Sequence, residues 1–490
     1  MAVADDLSNR PALLRVPEMA CRLLLKLIDG WSPTVPELGS AVSARFGDVD
    51  CSEMSPQLTI EGDHLVVGVP QVRVQRRLPE LIPLGKIRNV DGTLATGDTF
   101  RASNICRISF GADLKFESNA WFVGHEEEGA SLWIGAVEGA LDVDFGGNLI
   151  VEHVRSDGLR LGRACNFRLS GAYTYYLVQR SAEHASVWHL AIETTSGLPV
   201  REALEQDFQL LQFALGCRLR VPVLLRVDGD GKTVSAMSGL GTRRNLAERS
   251  VAPVPIVRDN EDRVDESWAS LLFDRASAKL SASPELRTAF WIATDAYLDA
   301  MGQHLDHDYL RLQVGLEAFA YWLLRVANGS EKIVVKDKSA WKNWVKEHSD
   351  EIRELAAEGF EASLVQKVMT VYRLSSGRVV PSAFSDLKLP LTDELKMEIE
   401  GRDEVVHQGI MAPDGYDADR DLRRVAMIRT LLVALIARIV DYDGAINGWD
   451  TGKLGRPVAP SGWWPVSDEA QRLACQTYSA DDGADPQSKD

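Results

Sequence analysis

The hydrophobic period changes once along this chain, and one layer of structure cannot satisfy both patterns. From about Val42 to Val227 the apolar residues alternate with polar ones in short runs. The clearest runs are Leu65–Val69, Cys106–Phe110, Ser131–Val137, Leu149–Val154, Tyr173–Gln179 and Ser186–Glu193. Between them stand turn signals such as Glu61-Gly62-Asp63, Asp91-Gly92, Phe145-Gly146-Gly147 and Ser156-Asp157-Gly158. Side chains alternate across a strand, so this pattern predicts many short antiparallel strands, packed as a sandwich or closed as a barrel. From about Glu266 onward the apolar residues recur every three or four positions, which predicts helices. The expected fold class is α+β and multidomain: a β-rich, sandwich-like antiparallel domain, then an all-α bundle. A chain of 490 residues has room for two to three domains.

The β-rich stretch carries one expected helix, Pro199 to Leu215, with Leu204, Phe208, Leu211 and Leu215 on one side. Asp228-Gly229-Asp230-Gly231 reads as a hairpin turn, since the rest of a calcium-loop pattern does not follow it. His125 precedes Glu126-Glu127-Glu128, which suits a solvated acidic loop better than a metal site. His184 and His189 fall on opposite faces of a strand and are poor joint ligands. Before this region, Val16, Ala20, Leu23, Leu24, Leu27 and Ile28 keep helical spacing, and a helix packed on another part of the chain is expected. After it, residues 245–262 are polar and hold Pro253 and Pro255, the composition of a linker.

The helical half begins with Glu266 to Leu280. Ser283-Pro284-Glu285 then offers a cap and a proline at the first helical position. Asp306 to Ala327 is the next helix, with Leu312, Leu316, Phe319 and Leu323 in its apolar stripe and Glu317 beside it. Asp337 to His348 carries Lys338, Lys342 and Lys346 one turn apart, with Trp341 and Trp344 between them. Such a ridge suits an RNA backbone with bases stacked on tryptophan, and equally a solvated basic face over buried rings. A long amphipathic helix is expected from about Asp419 to Asp441, with Arg420, Arg423 and Arg424 in its first turns. They are candidates for flanking phosphates, placed against the helix dipole.

Just before that helix lies Gly401-Arg402-Asp403-Glu404-Val405-Val406-His407-Gln408-Gly409. Thr392 to Gln408 reads as a helix with Thr392 or Asp393 at its cap and Gly409 after its end. His407 then sits in the last turn, where the dipole favours imidazolium. Arg402 and His407 are five apart, about 140° around a helix. Either the arginine reaches round or the two act across an interface. A permanent cation beside a group titrating near neutrality suits chemistry on a phosphodiester.

Arg402-Asp403-Glu404-Val405-Val406-His407 resembles the R-[polar]-x-x-x-H motif of HEPN ribonucleases, with Asp403 where asparagine is common. The stretch Tyr309 to Phe319, with Leu316-Glu317-Ala318-Phe319, is similar to the Leu-Glu-Ala-Leu type segment of the Apea-like branch found in bacterial anti-phage proteins. The resemblance spans roughly Pro284 to Trp449, about a third of the chain. It implies a HEPN-like helical bundle, a homodimer pairing two motifs about a two-fold, and a β-rich region serving as a sensor or regulatory module. Arg402 and His407 become the catalytic pair, with Glu317 and Asp403 supporting. On these terms the chain divides into an N-terminal helical segment at 1–40, a β-rich sensor or regulatory domain at 41–245 and a linker with a connecting helix at 246–282. A HEPN-like domain occupies 283–450, and an extension at 451–490 is expected to be disordered at its end.

Composition narrows the function classes. A net charge of −17 argues against a general nucleic-acid coat, so any RNA contact is local. The six cysteines are scattered, with no C-x-x-C, which fits reduced thiols in a cytoplasm. No basic segment followed by a long apolar run opens the chain, and Thr430 to Val440 is too short to span a bilayer, so no signal peptide and no membrane partner are expected. The expected function is a metal-independent, cofactor-free endoribonuclease of a bacterial defence or toxin-like system. Its partners would be an RNA substrate, a second copy, and a phage or regulatory ligand at the β-rich domain. Two other readings stay open: a non-catalytic HEPN scaffold, and a carbohydrate- or ligand-binding β-sandwich with a helical oligomerisation domain.

Overall fold

The computed structural model describes residues 23–24, 26–27, 30–47, 49–50, 52–70, 88–110, 113–125, 131–139, 148–155, 158–181, 186–195, 198–241, 266–300, 304–324, 337–370, 376–389, 391–400, 417–444 and 446. The strands are β1 (Gly39–Phe46), β2 (Val49–Asp50), β3 (Gln57–Glu61), β4 (His64–Pro70), β5 (Asn89–Leu94), β6 (Thr99–Phe110), β7 (Asp113–Gly124), β8 (Ser131–Val137), β9 (Asn148–Arg155), β10 (Gly158–Ser170), β11 (Thr174–Ser181), β12 (Ser186–Thr194), β13 (Val221–Val227) and β14 (Thr233–Leu240). Every described pairing is antiparallel.

Of the two expected packings, the sandwich gives way to the barrel, which continues into an extended sheet. The strands run β4-β3-β1-β5-β6-β7 and then on through β14-β13-β8-β12-β11-β10-β9. β7 also pairs with β4, from Asp113 to Ser118, so the first six close into a barrel. The length of β7 makes this possible: its first half closes the barrel, and Phe122 to Gly124 pair with β14 and open into a second, extended sheet. The barrel is filled by its own side chains, among them Phe46, Leu65, Val67, Phe100 and Phe116, all at most 1% exposed.

The extended sheet is covered on both faces. Leu23, Leu24 and Leu27 of the N-terminal segment pack against Leu132, Ile134, Tyr176 and Val178. On the other face lies α1 (Arg201–Leu215), packed with Trp133, Tyr175, Leu177 and Leu190. A strand buried on both faces loses its alternation, and β8 accordingly reads Ser-Leu-Trp-Ile-Gly with five consecutive buried residues.

The helical half contains α2 (Glu266–Ala282), α3 (Pro284–Asp299), α4 (Leu305–Trp322), α5 (Lys338–Glu347), α6 (Ser349–Glu354), α7 (Glu361–Thr370), α8 (Ser376–Asp386), α9 (Asp393–Glu400) and α10 (Ala418–Ile439). Ser283 caps α3, accepting from the Leu286 N–H at 3.2 Å, with Pro284 at the first position as its sequence suggests. α3 and α4 approach closely: a Cβ on Gly315 would stand 2.8 Å from the Ala296 Cβ. α10 is buried along most of its length, as its run of Val, Ile, Leu and Ala requires. α5 to α7 form a small lobe on their own cluster of Val345, Ile352 and Val365.

One hydrophobic core joins the two halves. It runs from the extended sheet through α1 to α2, α3, α4 and α10. Phe213 of α1 meets Phe290 and Tyr297 of α3 edge-on, with centroids 5.9 and 5.3 Å away. Such contacts contribute about 0.5–1.5 kcal/mol each beyond burial. The seam is polar as well. Gln206 of α1 donates to Ser277 O and Ser281 Oγ of α2, and Gln209 donates to Thr294 Oγ1 of α3. Arg218 pairs with Asp295 and Asp299 at 2.6 and 2.8 Å. No helix among the described residues is long and apolar enough to cross a membrane.

Candidate active site

Arg402, Asp403 and His407 lie outside the described residues, in the segment 401–416. The structure describes the frame around that segment. α9 leads into it and α10 leads out of it, with Asp417 at the α10 cap accepting from the Asp419 and Arg420 N–H groups at 3.2 Å each. α4 packs against α10, and its side chains grip α9.

The grip is polar and enclosed. Tyr309 and Gln313, one turn apart on α4, are both fully buried. The Tyr309 hydroxyl donates to the Glu398 carbonyl oxygen at 2.6 Å, and Gln313 Nε2 donates to the same oxygen at 3.2 Å. The Glu398 carboxylate takes Arg424 Nε from α10 at 2.7 Å. The Arg424 guanidinium lies over the Tyr309 ring, 5.0 Å from its centroid, a cation–π contact. Burial pushes the Tyr309 hydroxyl above its usual pKa. Desolvation works against the Arg424 charge, but the hydrogen bond and charge of Glu398 together with Tyr309 outweigh it and hold Arg424 above its usual pKa.

This arrangement corrects one expectation. Arg424, read as a phosphate contact, turns inward with a side chain only 13% exposed, because the Glu398 carboxylate and the Tyr309 face lie on the bundle side of α10. Arg420 and Arg423 remain on the exposed side of the same turns. Glu317 is half-buried on α4, one turn beyond Gln313 on the ridge that Tyr309 begins. Its expected contact with Arg402 lies outside the described residues.

The α5 expectation also changes. Trp341, Trp344 and His348 form a stacked ladder, with centroids 5.2 and 4.5 Å apart and planes within 22°. Trp344 is 44% exposed rather than buried. Val345 fixes the inward direction of α5, and helical spacing then puts the tryptophans on one side of that seam and Lys342 and Lys346 on the other. Lys346 is exposed and Lys342 half-buried. The side chain of Lys338 is outside the description. The rings and the lysines are therefore two separate edges of one helix, not one track.

In the β-rich half, register sets Asp50, Arg45, Asp91 and Arg101 side by side across β2, β1, β5 and β6. With Ser43, Thr93 and Thr99 they line a shallow polar cup of about 350 Å³. Opposite charges facing across strands stabilise a sheet by themselves. His125 meets Asp98 at 3.1 Å on the surface. Asp228 turns the β13–β14 hairpin, its carboxylate accepting from the Asp230 and Lys232 N–H groups. Among the described residues no group of three or more His, Cys, Asp or Glu side chains could hold a metal ion.

The sequence reading missed Tyr309, Gln313 and Glu398. The available signal was a tyrosine and a glutamine one turn apart on a buried helix face, where Gln313 Nε2 donates to the Tyr309 hydroxyl at 3.2 Å. Comparison with known protein families, with curated proteins and with solved structures finds no match.

Proposed function

We propose that the chain is a metal-independent endoribonuclease whose active site is the Arg402–His407 pair. One observation supports this reading beyond the motif itself. The helix carrying Leu316-Glu317-Ala318-Phe319 packs against α10 and is hydrogen-bonded to α9, the two helices that stand on either side of the Arg402–His407 stretch along the chain. RNA brings its own nucleophile, the 2′-hydroxyl. A base takes its proton, the 2′-oxygen attacks phosphorus, and an acid protonates the departing 5′-oxygen. His407 serves in one or both proton transfers. Arg402 binds the non-bridging oxygens as their charge grows. The products carry 2′,3′-cyclic phosphate and 5′-hydroxyl ends. Asp403 and Glu317 support the pair, and Arg420 and Arg423 hold flanking phosphates. The bundle is of the HEPN type, acting as a homodimer in the cytoplasm within a defence system, and the β-rich half receives a regulatory ligand.

The test uses Arg402→Ala, His407→Ala and Arg402→Lys. Each should lose cleavage by about 10²–10⁴-fold with an unchanged melting temperature, since each removes a role played in the transition state. Lysine fails because a point charge does not reproduce the planar fork. Wild-type cleavage should persist in EDTA. Folded variants that still cut RNA at the wild-type rate would end the assignment, and EDTA-sensitive cleavage would place the chemistry elsewhere.

A further inference from the structure

We infer that Tyr309, Gln313, Glu398 and Arg424 are positioning residues for this site, a clasp that fixes the two chain ends between which residues 401–416 run. The inference rests on the ribonuclease reading for its functional meaning and on described geometry for its substance. Glu398 stands in the last turn before the segment, and Arg424 in the second turn after it. Both are tied to neighbouring helices as well as to their own. The Glu398 backbone is bonded from α4, its side chain is bonded from α10, and Arg424 returns to the same tyrosine that holds the Glu398 carbonyl. Three helices therefore meet in one closed set of contacts.

Two further features set this apart from ordinary helix packing. A tyrosine, a glutamine and an ion pair occupy a place where leucine would fill the space without desolvating any polar group. Buried polar groups cost stability unless satisfied, and in return they fix one register where apolar contacts tolerate several. In addition, Gln313 Oε1 is buried and accepts no hydrogen bond. Native structures rarely leave such an acceptor idle. Gln313 Nε2 donates to both the Tyr309 hydroxyl and the Glu398 carbonyl, while its oxygen has no partner.

The experiment follows amide exchange and cleavage in the full-length protein. Tyr309→Phe removes the hydroxyl and keeps the ring under Arg424. Glu398→Gln removes the charge and keeps the shape. The first removes the hydroxyl's two hydrogen bonds and the second weakens the ion pair, so exchange of the 401–416 amides should quicken by about five- to tenfold. Amides of 428–439, in the α10 core, should not change. The value of kcat should fall at least as far, with KM held within about twofold, because misplacement affects the transition state more than binding. Arg424→Lys keeps the charge and should recover part of the protection that Arg424→Gln loses. Unchanged exchange over 401–416 would overturn the inference, as would equal acceleration over both segments, which marks global destabilisation. A wild-type protein that cuts no RNA would remove the ribonuclease reading and leave the exchange result to decide the clasp.

Discussion

Asp207, at 1% exposure on α1, ties three elements together. Its carboxylate accepts from the Ala172 N–H at 2.7 Å, the Tyr175 hydroxyl at 2.8 Å and the Ser277 hydroxyl at 2.9 Å. Gly171 permits this, because a Cβ there would collide with the carboxylate. Burial nonetheless outweighs the three donors and holds the Asp207 carboxyl above its usual value of 3.8. A carboxyl whose folded pKa exceeds its unfolded one takes up a proton on folding. Its contribution is fully present below the unfolded value and is lost as pH rises through the folded one. Melting temperatures of the wild type and Asp207→Asn, compared from about pH 4 to pH 8, should therefore show the wild type gaining on the variant as pH falls. A gap that is flat, or that widens toward high pH, would contradict this account of the site.

At the scale of elements, the sequence was readable where a single apolar pattern runs from one end of an element to the other. β4, β12, α3 and α10 fall within a few residues of the runs read from periodicity. β7 did not, because it changes environment halfway: Asp113 to Ser118 alternate in the barrel wall, while Trp121 to Gly124 are buried in succession. Its period therefore breaks inside one strand. α8 carries Pro381 in its interior, which masks a helix in any reading by propensity. The clasp was hidden for a different reason. Tyr309 and Glu398 are 89 residues apart, and nothing local to α4 says that its buried hydroxyl finds a carbonyl on α9. The Lys and Trp edges of α5 were misjudged as neighbours because spacing gives angles only once the buried direction is known, and Val345 supplies it.

For the molecule as a whole, the change of period near residue 245 marks a change of architecture but not a break in packing. Phe213, Gln206 and Gln209 carry the core across it. A chain cut once within 242–265 should therefore stay together. Size-exclusion chromatography of the nicked protein should give the intact elution volume, with one melting transition shared by sheet and helix signals. Two separable fragments, or two transitions, would show that the seam between α1 and α3 is weaker than its contacts suggest.

The same seam bears on how the protein is born. α1 leaves the ribosome well before α2 and α3. Until α2 has emerged the Gln206 amide lacks its Ser277 and Ser281 acceptors, and until α3 has emerged Phe213 lacks Phe290 and Tyr297 and the Gln209 amide lacks Thr294. At roughly 5–20 residues per second that interval is on the order of ten seconds, long for an apolar helix face left open on a growing chain. Nascent chains arrested with Asn245 just clear of the tunnel should bind a trigger-type chaperone and be cut readily within the extended sheet, and those arrested beyond α4 should not. If both lengths resist protease equally, the β-rich half closes its own core during synthesis and α1 needs no cover from the helices of the other half.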